Sequence, residues 1–143
     1  RVRQFKDLAS HGLKLAMGLP GVPIGTYSRH IIENTRTDPS YGMFFHDRIL
    51  ANVVSNELNV KQVVAKVILG EVDAGFVYST DVTKNVEPLV RVVEIPSRLN
   101  VAPSYYVGAL RGSHRSELAQ QFVSLLGLIA AQEILEDHGF SKP

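Results

Sequence analysis

The sequence predicts an α/β layered fold, and three observations carry that prediction. Short apolar runs alternate along the chain with segments of helical period. A turn rich in Gly and Pro, Gly18-Leu19-Pro20-Gly21-Val22-Pro23-Ile24-Gly25-Thr26-Tyr27, joins the first such run to the first amphipathic helix. The chain has 143 residues, 45% apolar and 20% charged, which suits one domain with a real core.

Taken in order, Phe5, Leu8 and Ala9 fall at helical spacing, so 5–10 reads as a short helix or turn. Residues 13–17 form a compact apolar run, the signature of a buried strand. Tyr27 and Ile31 share one face of a helix over 26–33. Residues 34–42 are polar, hold Pro39 and Gly42, and read as a loop. Phe44, Phe45, Ile49, Leu50, Val53 and Val54 suggest a helix within the ambiguous stretch 43–58. Asn59 is placed to cap a helix over 60–69, with Val60, Val63, Val64, Val67 and Ile68 along one face and Gly70 as its stop. Strands are expected at 72–78, 89–95 and 105–110, with a turn or short helix at 80–83. Leu118, Phe122, Leu125 and Ile129 line a helix over 114–126, and a last helix at 130–137 stops at Gly139.

Composition narrows the function. The net charge is +1 and the basic residues are scattered, so no stripe suggests nucleic acid as a partner. Without cysteine there is no disulfide and no thiolate chemistry. No apolar run approaches the ~20 residues of a membrane span. No signal peptide is read at the amino end, and an opening without an initiator Met reads as the interior of a longer polypeptide.

Catalytic constellations do not emerge. The histidines, His11, His30, His46, His114 and His138, lack the helical spacing of a metal site and read as surface or capping residues. Ser28 and His30 lie close together, but no G-x-S-x-G elbow accompanies them. Glu71 and Asp73 flank a helix-to-strand corner and read as solvated. A phosphate-binding P-loop is absent. No enzyme, metal or cofactor is therefore expected.

A backbone-built binding surface is what remains. Ile24 enters the helix after the Gly-Pro turn, Val60 opens the helix capped by Asn59, and Tyr78 closes the strand from Val72. In a doubly wound sheet the carboxyl ends of strands and the amino ends of the following helices share one edge, where ligands bind. Two helix beginnings and one phenol would offer neutral, directional donors to a small oxyanion. The plainer alternative is an ordinary loop, with Ile24 and Val60 as core residues and Tyr78 as a packed aromatic.

The same segments carry a family resemblance. Leu15-Ala16-Met17-Gly18-Leu19-Pro20 followed by Val22-Pro23-Ile24-Gly25-Thr26-Tyr27-Ser28 resembles the "A-x-G-x-P … V-P-A-G-x-Y-A" segment of periplasmic molybdate-binding proteins, the solute receptors of ABC importers. Asn59-Val60-Lys61-Gln62-Val63 resembles their "N-V-R-x-A" helix start. The most specific piece, residues 70–81, resembles "G-E-A-D-A-G-I-V-Y-x-T-D". Ile95-Pro96 and the ending from Ala131 to Phe140 also fit, so the likeness spans nearly the whole chain.

The resemblance implies a periplasmic-binding-protein-like lobe, a doubly wound sheet with helices on both faces, that is incomplete. It makes 1–110 the second lobe and 111–143 the helices that return to a first lobe not in this chain. It implies a site for tetrahedral molybdate or tungstate, with the N–H groups of Ile24 and Val60 and the hydroxyl of Tyr78 as ligands. It further implies an ABC importer permease as partner and a periplasmic or extracellular place, membrane-associated if the protein is a lipoprotein. Two departures stand out. Ile24 replaces the family's small Ala, and the chain is longer between the two helix starts, over 34–56. With the first lobe absent, the apolar face of 111–143 must fold onto its own chain or swap into a second copy to form a homodimer. The rival reading is a ligand-sensing regulatory domain of the same fold attached to an upstream DNA-binding segment.

Overall fold

A computed structural model describes residues 1–141. The chain divides into two units, Arg1–Ala102 and a second that begins at Pro103. The first unit is built on a parallel sheet of strands β1 (Leu15–Gly18), β2 (Val53–Glu57) and β3 (Ala74–Gly75), in the order β2-β1-β3. Helix α1 (Pro23–Asn34) and helix α2 (Phe45–Ala51) lie between β1 and β2 in sequence, and α3 (Val60–Ile68) lies between β2 and β3.

The central strand shows why the sheet is covered on both faces. Side chains alternate along a strand. Leu15 and Met17 enter one core with Phe5, Leu8, Ile31, Ile32, Ile49 and Leu99. Ala16, between them, enters a second core with Val63 and Val72. Thus α1 and α2 cover one face and α3 the other. All of β1 is buried, which explains its unbroken apolar run.

Small residues set the layer spacing. A Cβ on Gly75 would lie 2.4 Å from Cγ1 of Val63, so α3 can approach β3 only over a bare backbone. Asn59 caps α3 as expected, its side-chain oxygen accepting the Gln62 N–H at 3.1 Å. Gly70 ends the helix with a φ of 70° that side-chain-bearing residues avoid. The amino-terminal turn at Phe5–Ala9 is a 3-10 helix, as its spacing suggested.

Several elements differ from expectation. The stretch 43–58 is not one helix: α2 ends at Ala51 and β2 follows. Asn52 makes the break, because its side-chain amide donates to the carbonyls of Leu8 and Ser10, each at 2.8 Å, while its own carbonyl receives the Leu15 N–H. The strand expected at 72–78 shrinks to Ala74–Gly75. Strands are not formed at 89–95 or 105–110; the first contains only the end of a 3-10 turn, Glu87–Leu89, and extended chain. Both segments have strand-like composition, but a strand needs a partner edge, and neither segment joins the sheet. Tyr106 is accordingly 93% exposed.

The second unit holds α4 (Ser116–Leu126) and α5 (Ile129–Asp137), with Gly139 at a φ of 87° after the last helix. Leu118, Phe122, Leu125 and Ile129, the face read from sequence, are exposed. Among the described residues no single helix is long and apolar enough to cross a membrane.

Candidate functional site

The three strands run parallel, so their carboxyl ends meet at one edge. In the order β2-β1-β3 the chain moves from β1 to one side and returns past it to the other. That reversal puts the topological switch at β1 and β3, where α/β sheets open a crevice. Ile24 follows β1, Val60 follows β2 and Tyr78 follows β3, so the topology brings all three to this edge.

Each residue is positioned by its own turn. The chain leaves β1 with the Leu19 N–H donating to the Glu57 carbonyl at 2.8 Å, which ties the ends of β1 and β2. Gly21, at a φ of 93°, lets the chain reverse. Pro23 then starts α1 three residues earlier than the expected 26–33, since its fixed φ suits the first helical position and its missing N–H costs nothing there. Ile24 is consequently a first-turn residue. Its side chain is buried, only 6% exposed, and packs against the end of β1. The amides of Ile24 and Gly25 belong to the turn that has no intrahelical acceptors, whereas Thr26 already donates to Val22 at 3.0 Å.

Val60 is the first residue of α3. The cap uses the Gln62 N–H, and the Gln62 side chain in turn accepts the Leu58 N–H at 3.1 Å. The cap therefore leaves the amides of Val60 and Lys61 as first-turn donors. Tyr78 precedes the 3-10 turn Ser79–Asp81. Its ring stands edge-on to Tyr27 of α1, centroids 6.4 Å apart at 70°. That contact holds the phenol beside the first turns of α1. Burial pushes the Asp81 carboxyl up, against the opposing pull of the Tyr78 N–H, which donates to it at 3.3 Å, and of Lys61. The edge thus joins dipolar donors and Lys61 with a carboxyl whose charge burial disfavours.

Sequence reasoning missed two contributors. One is Tyr27, the partner of Tyr78. The other is Arg29, whose guanidinium donates to the carbonyls of Gly18 at 2.9 Å and Gly25 at 3.0 Å and to the side-chain oxygen of Asn56 at 3.0 Å. Its spacing of one helical turn from Gly25 was the available signal. Ser28, also inside α1, is buried and donates back to the Ile24 carbonyl at 2.6 Å. No group of His, Asp or Glu that could hold a metal ion exists among the described residues.

Two helix beginnings at the carboxyl edge of a parallel sheet, beside its topological switch, are the arrangement of an α/β lobe of the kind that binds ligands at that edge. The chain belongs to the bacterial extracellular solute-binding protein family, whose model matches residues 1–141. It is 35% identical over all 143 residues to the molybdate-binding protein ModA of Mycobacterium bovis. The same identity and coverage hold for the molybdate-binding protein ModA of Mycobacterium tuberculosis. The chain spans about half the length of the curated relatives it matches, 50% in each case.

Proposed function

We propose that this chain is the second lobe of a solute-binding protein that captures a tetrahedral oxyanion, molybdate or tungstate, outside the cytoplasm and delivers it to an ABC importer. The observation that supports the reading is that Ile24, Val60 and Tyr78 each follow one strand of a single parallel sheet, on its carboxyl side. Two helix amino ends supply N–H donors and positive dipole ends, and a phenol supplies an O–H, so a dianion can be desolvated by neutral donors, beside an Asp81 carboxyl whose charge burial disfavours. The likeness to molybdate-binding relatives supports the choice of ion.

The role is binding, not catalysis. Selectivity follows from cavity size and donor count, since a buried donor left unmatched is penalised. Phosphate, which carries a proton near neutral pH, would want an acceptor, and the amides of Ile24 and Val60 supply only donors. In this reading 1–110 form the lobe and 111–143 return to a first lobe, and the exposed apolar residues of α4 and α5 support a partner surface outside this chain, in that lobe or in a second copy. Loss of the opposite wall removes several donors at about 1–3 kcal/mol each, so this chain alone should bind weakly. Calorimetric titration of the two-lobed protein with molybdate, tungstate and sulfate tests the proposal. Strong heats for the first two and little for sulfate are expected; equal heats for all three would defeat the assignment.

A further inference from the structure

The proposed site needs no formal cation in principle, yet one stands behind it. Arg29 is partly buried in the second turn of α1, one turn beyond Gly25. One nitrogen of its guanidinium donates to Gly18 O at 2.9 Å and Gly25 O at 3.0 Å, and the other to Asn56 Oδ1 at 3.0 Å. These acceptors are the last residue of β1, the third residue of α1, and a residue of β2. The group therefore pins two strand ends and a helix start to one another. All three acceptors are neutral. Among the described residues no carboxylate forms an ion pair with Arg29. An arginine that is hydrogen-bonded but not neutralised keeps its charge for whatever sits nearby. Gly25, to whose carbonyl it bonds, is the residue after Ile24.

We infer that Arg29 is the positioning residue of the oxyanion site and its charge selector: it fixes the first turn of α1 against β1 and β2, and its unneutralised cation favours a dianion over a monoanion of equal shape. This rests on the oxyanion reading of the same edge. Direct contact with the anion is not required. The guanidinium acts through the Gly18 and Gly25 carbonyls that it holds and through its field.

Molybdate and perrhenate test this, because both are tetrahedral oxyanions of similar size, with charges of −2 and −1. Each is titrated into this chain and into Arg29→Met and Arg29→Lys, followed by amide chemical shifts, with circular dichroism checking the fold. The natural chain should prefer molybdate by about tenfold or more, as expected for one added charge near a partly desolvated site. Arg29→Met should weaken molybdate most and reduce the preference several-fold, with Lys61 and the helix dipoles keeping the remainder. Arg29→Lys should weaken both anions, because one ammonium cannot hold all three acceptors, but should keep the preference. A merely structural Arg29 would leave the preference unchanged in Arg29→Met, and that result overturns the selector role. If Arg29→Met does not fold, Arg29→Gln, which keeps a neutral donor, takes its place with the same expectation. If this chain binds neither anion, the same titrations in the two-lobed protein decide: absence of binding there defeats the oxyanion reading itself, and amide exchange still judges the clamp. Exchange at Leu19, whose N–H bonds Glu57 O, should quicken in Arg29→Met relative to Val63; equal exchange would remove the positioning role as well.

Discussion

Replacing Gly25 by Ala sets two physical expectations against each other. Gly25 lies in the first turn of α1, and helix propensity alone favours Ala there by up to about 1 kcal/mol. The surroundings say the opposite. A Cβ at this position would lie 2.0 Å from the Leu19 carbonyl oxygen, 2.6 Å from that of Gly18 and 2.7 Å from the Gly18 carbonyl carbon. These are backbone atoms, so no rotamer change relieves the overlap. The helix start must retreat from β1 by about 1 Å, a displacement close packing does not absorb. The retreat strains the Val22-to-Leu19 bond, the grip of Arg29 on Gly18 and the seat of Ile24 in the core. Overpacking of this kind costs about 1–3 kcal/mol, and lost hydrogen bonds add about 1 kcal/mol more. Net of propensity, Gly25→Ala should destabilise by roughly 1–3 kcal/mol, lowering Tm by about 3–10 °C at this chain length. Urea unfolding supplies the free energy and a thermal scan the midpoint. Gly42→Ala is the control, since nothing lies within 4 Å of its added Cβ, and it should stay within about 0.5 kcal/mol of the natural chain. A Gly25→Ala protein more stable than the natural one would refute the close approach of α1 to β1.

Tyr78→Phe keeps the edge contact with Tyr27 but removes the hydroxyl, so molybdate affinity should fall roughly tenfold, and unchanged affinity in the same titration would exclude the phenol as a ligand. Asn59→Ala removes the cap on Gln62 and should cost about 1 kcal/mol in urea unfolding, with weaker anion binding because the start of α3 frays; full affinity with lost stability would separate Val60 from the site. The Lys14 N–H, donating to the Asp73 carboxylate at 2.9 Å, and Arg1 beside it hold that carboxyl below its ordinary 3.8. Its ionised form therefore contributes stability that is present above pH 3.8 and lost as pH falls through the depressed folded value. Asp73→Asn should lose stability near neutral pH, and its deficit should shrink in urea midpoints taken well below pH 3.8; a constant deficit would show that the charge is not what matters.

Much of the site's framework was legible in the chain because it depends on short-range chemistry. The cap at Asn59 and the stop at Gly70 follow from residue type and position, and the structure forms both; the helix expected over 26–33 forms too, but begins at Pro23. The buried strand at β1 announced itself as an apolar run because both of its faces are covered. What was hidden depends on partners. Ile49, Leu50, Val53 and Val54 continue a helical period across Asn52, and only long-range bonds from Asn52 to Leu8 and Ser10 divide them into α2 and β2. Residues 89–95 and 105–110 have strand composition without an edge to pair with. Arg29 offered only its helical-turn spacing from Gly25, because two of its acceptors are backbone carbonyls, which no residue type announces.

The central claim is that peptide groups at two helix beginnings face one bound oxyanion. Amide spectra of the isotopically labelled chain, titrated with millimolar molybdate, test it most directly. The account predicts saturable shifts at Ile24, Gly25, Val60 and Lys61, moving together along one binding curve. Shifts confined to other residues, or separate curves for α1 and α3, would contradict it.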